Sequence, residues 1–487
     1  MSEAASVPFS ETKAPESAER LNRGALRLID ISASTMANIG PAYSFYFGFG
    51  FLVLTAGVAA PLTIIVAGIA IALLGNTLSQ FSRVHPSTGG FISYVGKTFG
   101  GTSAVTTALL CGAGYMIAIS SVLAACGGIL SIILQYYFNW NVPWGIFTVI
   151  LTAGAVLMMI RGVAVSTKLA GFFFGFEMLV LIVVSLAAII KNGGHLSAVP
   201  FDPSHITGGF TGLAAGFPLA IYLFIGWENS AALAEETGDP RRNVPRAVFL
   251  SVAMMVIGYV LFAYATVTGF HYNGTALGGA AIPFISVSHD VAGWLALIAY
   301  IAGMTSTLGV LIAAVNSQCR LIFNAGREGL LPRWLGKVHP QRRTPVNAIY
   351  AFVVIGGLII AVWGIVHLAS GTSGEMSAVS FFTESSTMGT ILVLVVYFLS
   401  NLALPFYYRK YRPGEFNAVK HGVLPVLGMI AIGVPVYYLV KPGQSAPYDW
   451  FPYAALGVIV VSIIYAVALG RRDPGLGDRV GSIIADQ

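Results

Sequence analysis

Three carboxylates occupy positions where carboxylates are costly. Glu177, Glu228 and Glu384 each lie within long apolar stretches. An acidic side chain at the centre of a membrane helix costs ~2.5–3.5 kcal/mol on the insertion scale. Acids kept at that depth can carry a proton, hold a cation or neutralise an ammonium, and they need no cofactor to do so. The most informative setting is that of Glu228, in F-P-L-A-I-Y-L-F-I-G-W-E-N-S-A-A-L-A-E-E-T-G-D-P-R-R-N-V-P-R, from Phe217 to Arg246. The stretch is apolar as far as Ile225. It then passes through Gly226, Trp227, Glu228, Asn229 and Ser230 and turns acidic, then basic, around Pro240 and Pro245. A glycine beside a carboxylate and an amide predicts a helix that breaks where its backbone lines a cavity rather than lipid.

A second interruption, Asn38-Ile39-Gly40-Pro41-Ala42, falls inside the first apolar run. Pro41 has no N–H and clashes with a carbonyl one turn back. Gly40 supplies backbone freedom, and Asn38 can bond to unpaired backbone. Thr305, Ser306 and Thr307 add three consecutive hydroxyls in a later run, and Tyr115 and Ser120 add polar groups in the third. The histidines are scattered and show no metal-ligand spacing. No nucleophile–base pair and no phosphate loop occurs. Enzymatic, metal-dependent and ATP-driven chemistry therefore has no support, and no cofactor is implied. Cys111, Cys126 and Cys319 lie in apolar runs and read as small buried hydrophobes.

These residues require a membrane-spanning frame. The 487-residue chain is 56% hydrophobic and 9% charged, against roughly 25% charged in soluble domains. It is an all-α polytopic membrane protein whose first partner is the lipid bilayer. A crossing needs ~20 apolar residues. Twelve such runs occur, at about 30–55, 59–80, 102–135, 143–160, 169–190, 209–235, 246–270, 291–323, 346–368, 377–402, 421–440 and 449–470. Arginines and lysines cluster before the first run, after each even-numbered run and at the chain end, whereas the opposite side has only Lys191 and Lys441. This positive-inside pattern predicts a cytoplasmic membrane location with both termini cytoplasmic. It also explains the net charge of +6 without nucleic acid. Residues 1–26 read as a disordered cytosolic tail and 471–487 as a second tail.

The breaks fall in the first and sixth runs, each opening a block of five. Interruptions at matching positions in two halves predict an inverted-repeat transporter with its site at the midplane. The repeats are 27–191 and 208–402, followed by a helical pair in 417–470. Half-helix N-termini offer N–H groups to a carboxylate, and half-helix C-termini offer carbonyls to an ammonium or a cation.

The chain resembles the amino acid–polyamine–organocation (APC) superfamily over about residues 24 to 470. The resemblance rests on four motifs in order: R-V-H-P-S-T-G-G-F-I-S-Y-V from Arg83, R-G-V-A-V-S-T-K from Arg161, the Gly226 segment, and R-L-I-F-N-A-G-R-E-G-L-L-P-R-W-L-G-K-V-H-P from Arg320. It implies the leucine-transporter fold: five-plus-five inverted repeats with broken helices 1 and 6, then two peripheral helices. It also implies secondary active transport of amino acids, amines or polyamines by alternating access. Coupling would be by proton symport or antiport, or less commonly by sodium. By resemblance, substrate binding falls to Asn38, Ile39, Gly40, Pro41 and Ala42 and to Tyr222, Phe224, Ile225, Gly226 and Trp227. Tyr222 caps the substrate and Glu228 gates or senses protons. Glu384, by its depth in T-E-S-S-T-M-G-T and not by resemblance, reads as an acid that neutralises a substrate amine or pairs within the tenth run as part of an outer gate. Thr305, Ser306 and Thr307 match hydroxyls that help bind sodium in sodium-coupled relatives. Two departures stand out. Gly40-Pro41-Ala42 replaces a common Gly-Ser-Gly, and Glu177 stands where many sodium-independent members have a lysine.

Overall fold

The computed structural model describes residue 21, residues 23–369 and residues 376–476. Most of the predicted tails, residues 1–20 and 477–487, lies outside the described residues. The predicted tail boundary at residue 26 moves, because Leu21 and Leu26 are buried. The Leu21 N–H donates to Glu235 Oε1 at 2.8 Å, and the Leu26 N–H donates to the Glu236 carbonyl at 2.9 Å.

The described chain is helical throughout, apart from one isolated bridge between Leu26 and Thr237. The first interrupted run forms α1 (Leu28–Ile39) and α2 (Pro41–Ala56), and α3 (Ala60–Val84) and α4 (Gly90–Phe99) follow. Three long elements complete the first half: α5 (Gly101–Phe138), α6 (Trp144–Met159) and α7 (Val163–Lys191). The second interrupted run forms α8 (Phe210–Tyr222) and the short α9 (Asn229–Ala232). Then come α10 (Pro240–Gly269), α11 (Gly274–Gly279), α12 (Pro283–Val291), α13 (Gly293–Arg327), α14 (Val346–Ala369) and α15 (Ala378–Tyr411). The chain closes with α16 (Leu424–Val440) and α17 (Phe451–Arg472).

Nine segments among the described residues are long and apolar enough to cross a membrane. One of them, Leu28–Val84, runs for 57 residues, well beyond the ~20 that a single crossing needs. Two shorter apolar helices, Trp144–Met159 and Phe210–Tyr222, accompany them. The α1/α2 and α8/α9 pairs sit centrally, where α1 packs on α7, α10 and α13 and α2 packs on α8 and α13. The helices α14, α16 and α17 form an outer face. Their Val354, Leu358, Ile365, Ile430, Leu456 and Ile464 are exposed. Such residues are costly in water but suited to acyl chains.

Candidate functional site: two helix breaks around one cavity

The first break is tighter than the sequence suggests. The helix stops at Ile39, turns at Gly40 alone (φ 62°, ψ 74°), and restarts at Pro41. Proline suits the first position of a helix, where its missing N–H forfeits no bond. A left-handed φ favours glycine, and a Cβ at Gly40 would come within 2.0 Å of Val310. The second break is longer, a run of turns from Leu223 to Glu228 between α8 and α9. Gly226 has φ 108°, and a Cβ there would meet the Asn38 carbonyl at 2.8 Å.

The breaks therefore touch. The Asn38 amide Nδ2 donates to the Gly226 carbonyl at 3.2 Å. Tyr259 links them a second time. Its hydroxyl lies 2.8 Å from the Leu223 carbonyl and 2.6 Å from Ser44 Oγ, and Ser44 Oγ lies 2.9 Å from the Gly40 carbonyl, so two hydroxyl protons are shared along a chain of three contacts.

A cavity of about 50 Å³ lies at this junction. Of the predicted binding residues, Asn38, Ile39, Tyr222, Ile225 and Gly226 line it. Gly40, Pro41, Ala42, Phe224 and Trp227 do not. Phe224 stacks edge-on against Tyr259, and Trp227 packs between Phe91 and Tyr397. Tyr43, Tyr115, Ser121, Gln318 and Thr390 also contribute to the lining. Tyr222 and Thr390 line a second, larger pocket as well, of about 400 Å³ between α2, α8, α15 and α16. The wall between the two is aromatic. Phe382 stacks edge-on with Tyr43 at 5.3 Å and with Tyr222 at 5.8 Å, and the two tyrosine hydroxyls lie 3.1 Å apart.

The three acids separate in space. Fully buried Glu177, on α7, accepts the Ala42 N–H at 3.0 Å through Oε2, while Oε1 has no partner among the described residues. Glu228 lies behind the cavity wall. It accepts the Tyr115 hydroxyl at 2.8 Å and the Gly226 N–H at 3.2 Å. Glu384 is not brought to the cavity. It lies in the second turn of α15, half-buried, and points away toward α14, where it accepts the Trp363 indole N–H at 2.8 Å. Of the three hydroxyls on α13, Ser306 alone meets the first break, accepting the Tyr43 N–H at 3.0 Å. Thr305 and Thr307 bond to their own helix. Among the described residues, no group of three or more His, Cys, Asp or Glu could hold a metal ion.

On the far side from the aromatic wall the molecule is closed by buried ion pairs. Arg320 pairs with Glu236, and Arg327 holds both oxygens of Glu235 at 2.9 and 3.4 Å. The sequence alone marks these arginines only as loop-side positives, because a helix of 35 residues carries Arg320 inside the bundle. Gln318 is a lining residue that the motifs do not single out, although the paired amides Asn316 and Gln318 in N-S-Q-C-R stand out against the apolar run before them.

A profile of the amino acid permease family matches residues 26–466. The methylthioribose transporter of Bacillus subtilis is 24% identical, over 93% of this chain and 94% of its own. The branched-chain amino acid permease BcaP of the same organism is 23% identical, over 83% and 85%. The mouse Asc-type amino acid transporter 1 is 24% identical, over 82% and 77%. Among solved structures, a variant of the Eremococcus coleocola manganese transporter shares the fold, with a TM-score of 0.54 at 12% identity, covering 91% of this chain and 95% of that one. The match over nearly the whole described chain makes this protein a multi-pass membrane member of the amino acid permease family, within the APC superfamily.

Proposed function

We propose that the protein is a secondary active transporter. It carries an amino acid or a related amine across the cytoplasmic membrane by alternating access and is driven by a proton or by exchange. The observation that carries this reading is the direct contact of two helix breaks over one cavity. A structural bundle has no use for paired breaks, whereas transporters place their sites there. If the 57-residue segment holds two crossings and the two shorter apolar helices each make one, the chain crosses twelve times. Both termini then face the cytoplasm, in keeping with the positive-inside pattern. That count supports two five-helix repeats, 27–191 and 208–402, followed by a peripheral pair in 417–470.

The coupling reading rests on the two buried acids. Glu177 binds the start of α2, and Glu228 binds the second break. A proton arriving at either carboxylate weakens its hold on an N–H of a moving segment. A proton is favoured over sodium because only Ser306 of the α13 hydroxyls reaches the first break, and Glu177 already binds beside it.

The test is uptake by proteoliposomes of labelled amino acids and amines, with and without an inward proton gradient. Gradient-driven accumulation is expected, and Glu228→Gln should fold normally but flatten the pH profile of uptake. An unchanged profile removes Glu228 from coupling. Saturable uptake that needs internal solute and ignores the gradient turns the reading to exchange.

A further inference from the structure

A substrate carboxylate needs donors, and both breaks have used theirs. At the first, Pro41 has no N–H. The Ala42 N–H goes to Glu177, the Tyr43 N–H to Ser306, and the Ser44 N–H to the Gly40 carbonyl. At the second, the Phe224, Ile225 and Trp227 N–H groups close local turns onto Ile221, Tyr222 and Phe224, while the Gly226 N–H goes to Glu228. Two of this chain's own carboxylates thus hold break N–H groups, one at Gly226, which lines the cavity, and one at Ala42 in the adjoining turn. Glu177 also sets its negative charge against the positive end of the α2 dipole, the feature that elsewhere attracts anions. Among the described residues, no lysine, arginine or histidine lines the cavity.

Acceptors are in surplus. The carbonyls of Ala37, Asn38 and Ile39 would ordinarily accept N–H groups four residues on. Those donors are absent at Pro41 and used elsewhere at Ala42 and Tyr43. Asn38 and Ile39 line the cavity. Gln318, 7% exposed, lines it too, and its Oε1 is buried with no partner among the described residues. Glu228 stands one hydrogen bond behind the wall, through Tyr115. An ammonium brings three donors and no acceptor, which matches this set. A carboxylate brings acceptors only; here it would find neutral donors on Tyr222, Thr390 and the Gln318 amide nitrogen but no cation and no free N–H of either break, so its charge is poorly compensated.

We propose that the cavity selects solutes with an ammonium but no free carboxylate, namely primary amines and amino amides, with Glu177 acting as a resident carboxylate in the first break. This rests on the transport reading above and narrows its substrate class. The remaining lining, with Ile39, Val122, Ile225, Val310 and Val393, suits a small aliphatic body beside the ammonium.

The experiment is ligand binding to the full-length protein in lipid nanodiscs, followed by thermal shift and intrinsic tryptophan fluorescence. Nanodiscs avoid the passive leak of uncharged amines through liposomes. The probes are matched triples: alanine, valine and leucine, each with its amide and its decarboxylated amine. The amide and amine of at least one triple are expected to bind about tenfold or more tightly than the parent amino acid, about 1.4 kcal/mol. Equal or tighter binding of the parents overturns the inference while leaving the transport reading in place. If no member of any triple binds, and none supports counterflow in proteoliposomes, both fall. Glu177→Ala, which frees the Ala42 N–H and removes the resident negative charge from the first break, should raise amino acid affinity relative to the amide at least fivefold. Glu177→Gln, which keeps an acceptor for that N–H, should preserve the ranking. An unchanged ranking in Glu177→Ala also overturns the role given to Glu177. If that variant does not fold, the wild-type ranking alone decides.

Discussion

The cavity is closed on its two sides by materials of different strength. Toward the larger pocket stands one aromatic layer, Phe382 against Tyr43 and Tyr222. Toward the arginine-rich end stand three layers in sequence. Trp227 packs with Phe91 and Tyr397, Tyr115 bonds Glu228, and beyond them Arg320 and Arg327 pair with Glu236 and Glu235. Leu26 straps the outermost layer through backbone bonds with Glu236 and Gly238, and the Leu21 N–H adds a bond to Glu235. An aromatic pair adds about 0.5–1.5 kcal/mol beyond its area, whereas removing one partner of a buried ion pair costs about 3–5 kcal/mol. The conformation described is therefore more thickly packed at the arginine-rich end, where losing one partner is costly, and one aromatic layer parts the cavity from the larger pocket. On the transport reading proposed above, the cavity would be loaded and emptied first through that layer.

The largest expected effect comes from the thick seal. Arg320→Ala leaves the Glu236 carboxylate buried without its cation and should weaken the closed arrangement by about 3–5 kcal/mol. Cys319, its neighbour, is fully buried and free. A maleimide should label Cys319 at least tenfold faster in the variant, with the modified peptide located by mass spectrometry. Labelling at the wild-type rate would mean that the pair does not hold this side shut.

The seals also mark where the sequence was legible. The breaks were readable because glycine, proline and a carboxylate inside an apolar run contradict a continuous helix. Their unequal lengths were not, since Gly40 turns alone only because Val310 leaves no room for a Cβ and Pro41 restarts the helix at once. Glu177 and Glu228 were found by depth. Their partners, the Ala42 and Gly226 N–H groups, depend on how α7 and the second break pack, and composition does not encode that. Glu384 shows the converse. Its apolar surroundings in sequence resemble those of the other acids, but the second turn of α15 faces it to Trp363 and away from the cavity. The ion pairs escaped notice because Glu236 and Arg320 are 84 residues apart.

A middle-sized effect should come from the thin seal. Phe382→Ala removes ring contacts to Tyr43, Phe47 and Tyr222 together. Solute should leave the cavity several-fold faster, with weaker binding to match. Cys126 is buried near Tyr43 and should become reactive to a small, charged thiol reagent. Unaltered release and unaltered Cys126 labelling would place the resistance elsewhere and erase the contrast between the seals.

The smallest effect is expected outside both seals. Glu384 touches neither, and its indole bond joins α15 to α14 on the outer flank. Glu384→Gln keeps an acceptor for the Trp363 N–H, so neither the rate nor the pH profile of transport should move by as much as twofold. Trp363→Phe removes the indole donor, at a cost of about 0.5–1.5 kcal/mol in thermal stability, again with transport preserved. The pair of variants separates two roles that one substitution would confuse. Loss of stability without loss of transport marks a strut between helices. A changed pH profile in Glu384→Gln would instead make this acid part of the coupling machinery, and the thin seal would then extend to the outer half of α15.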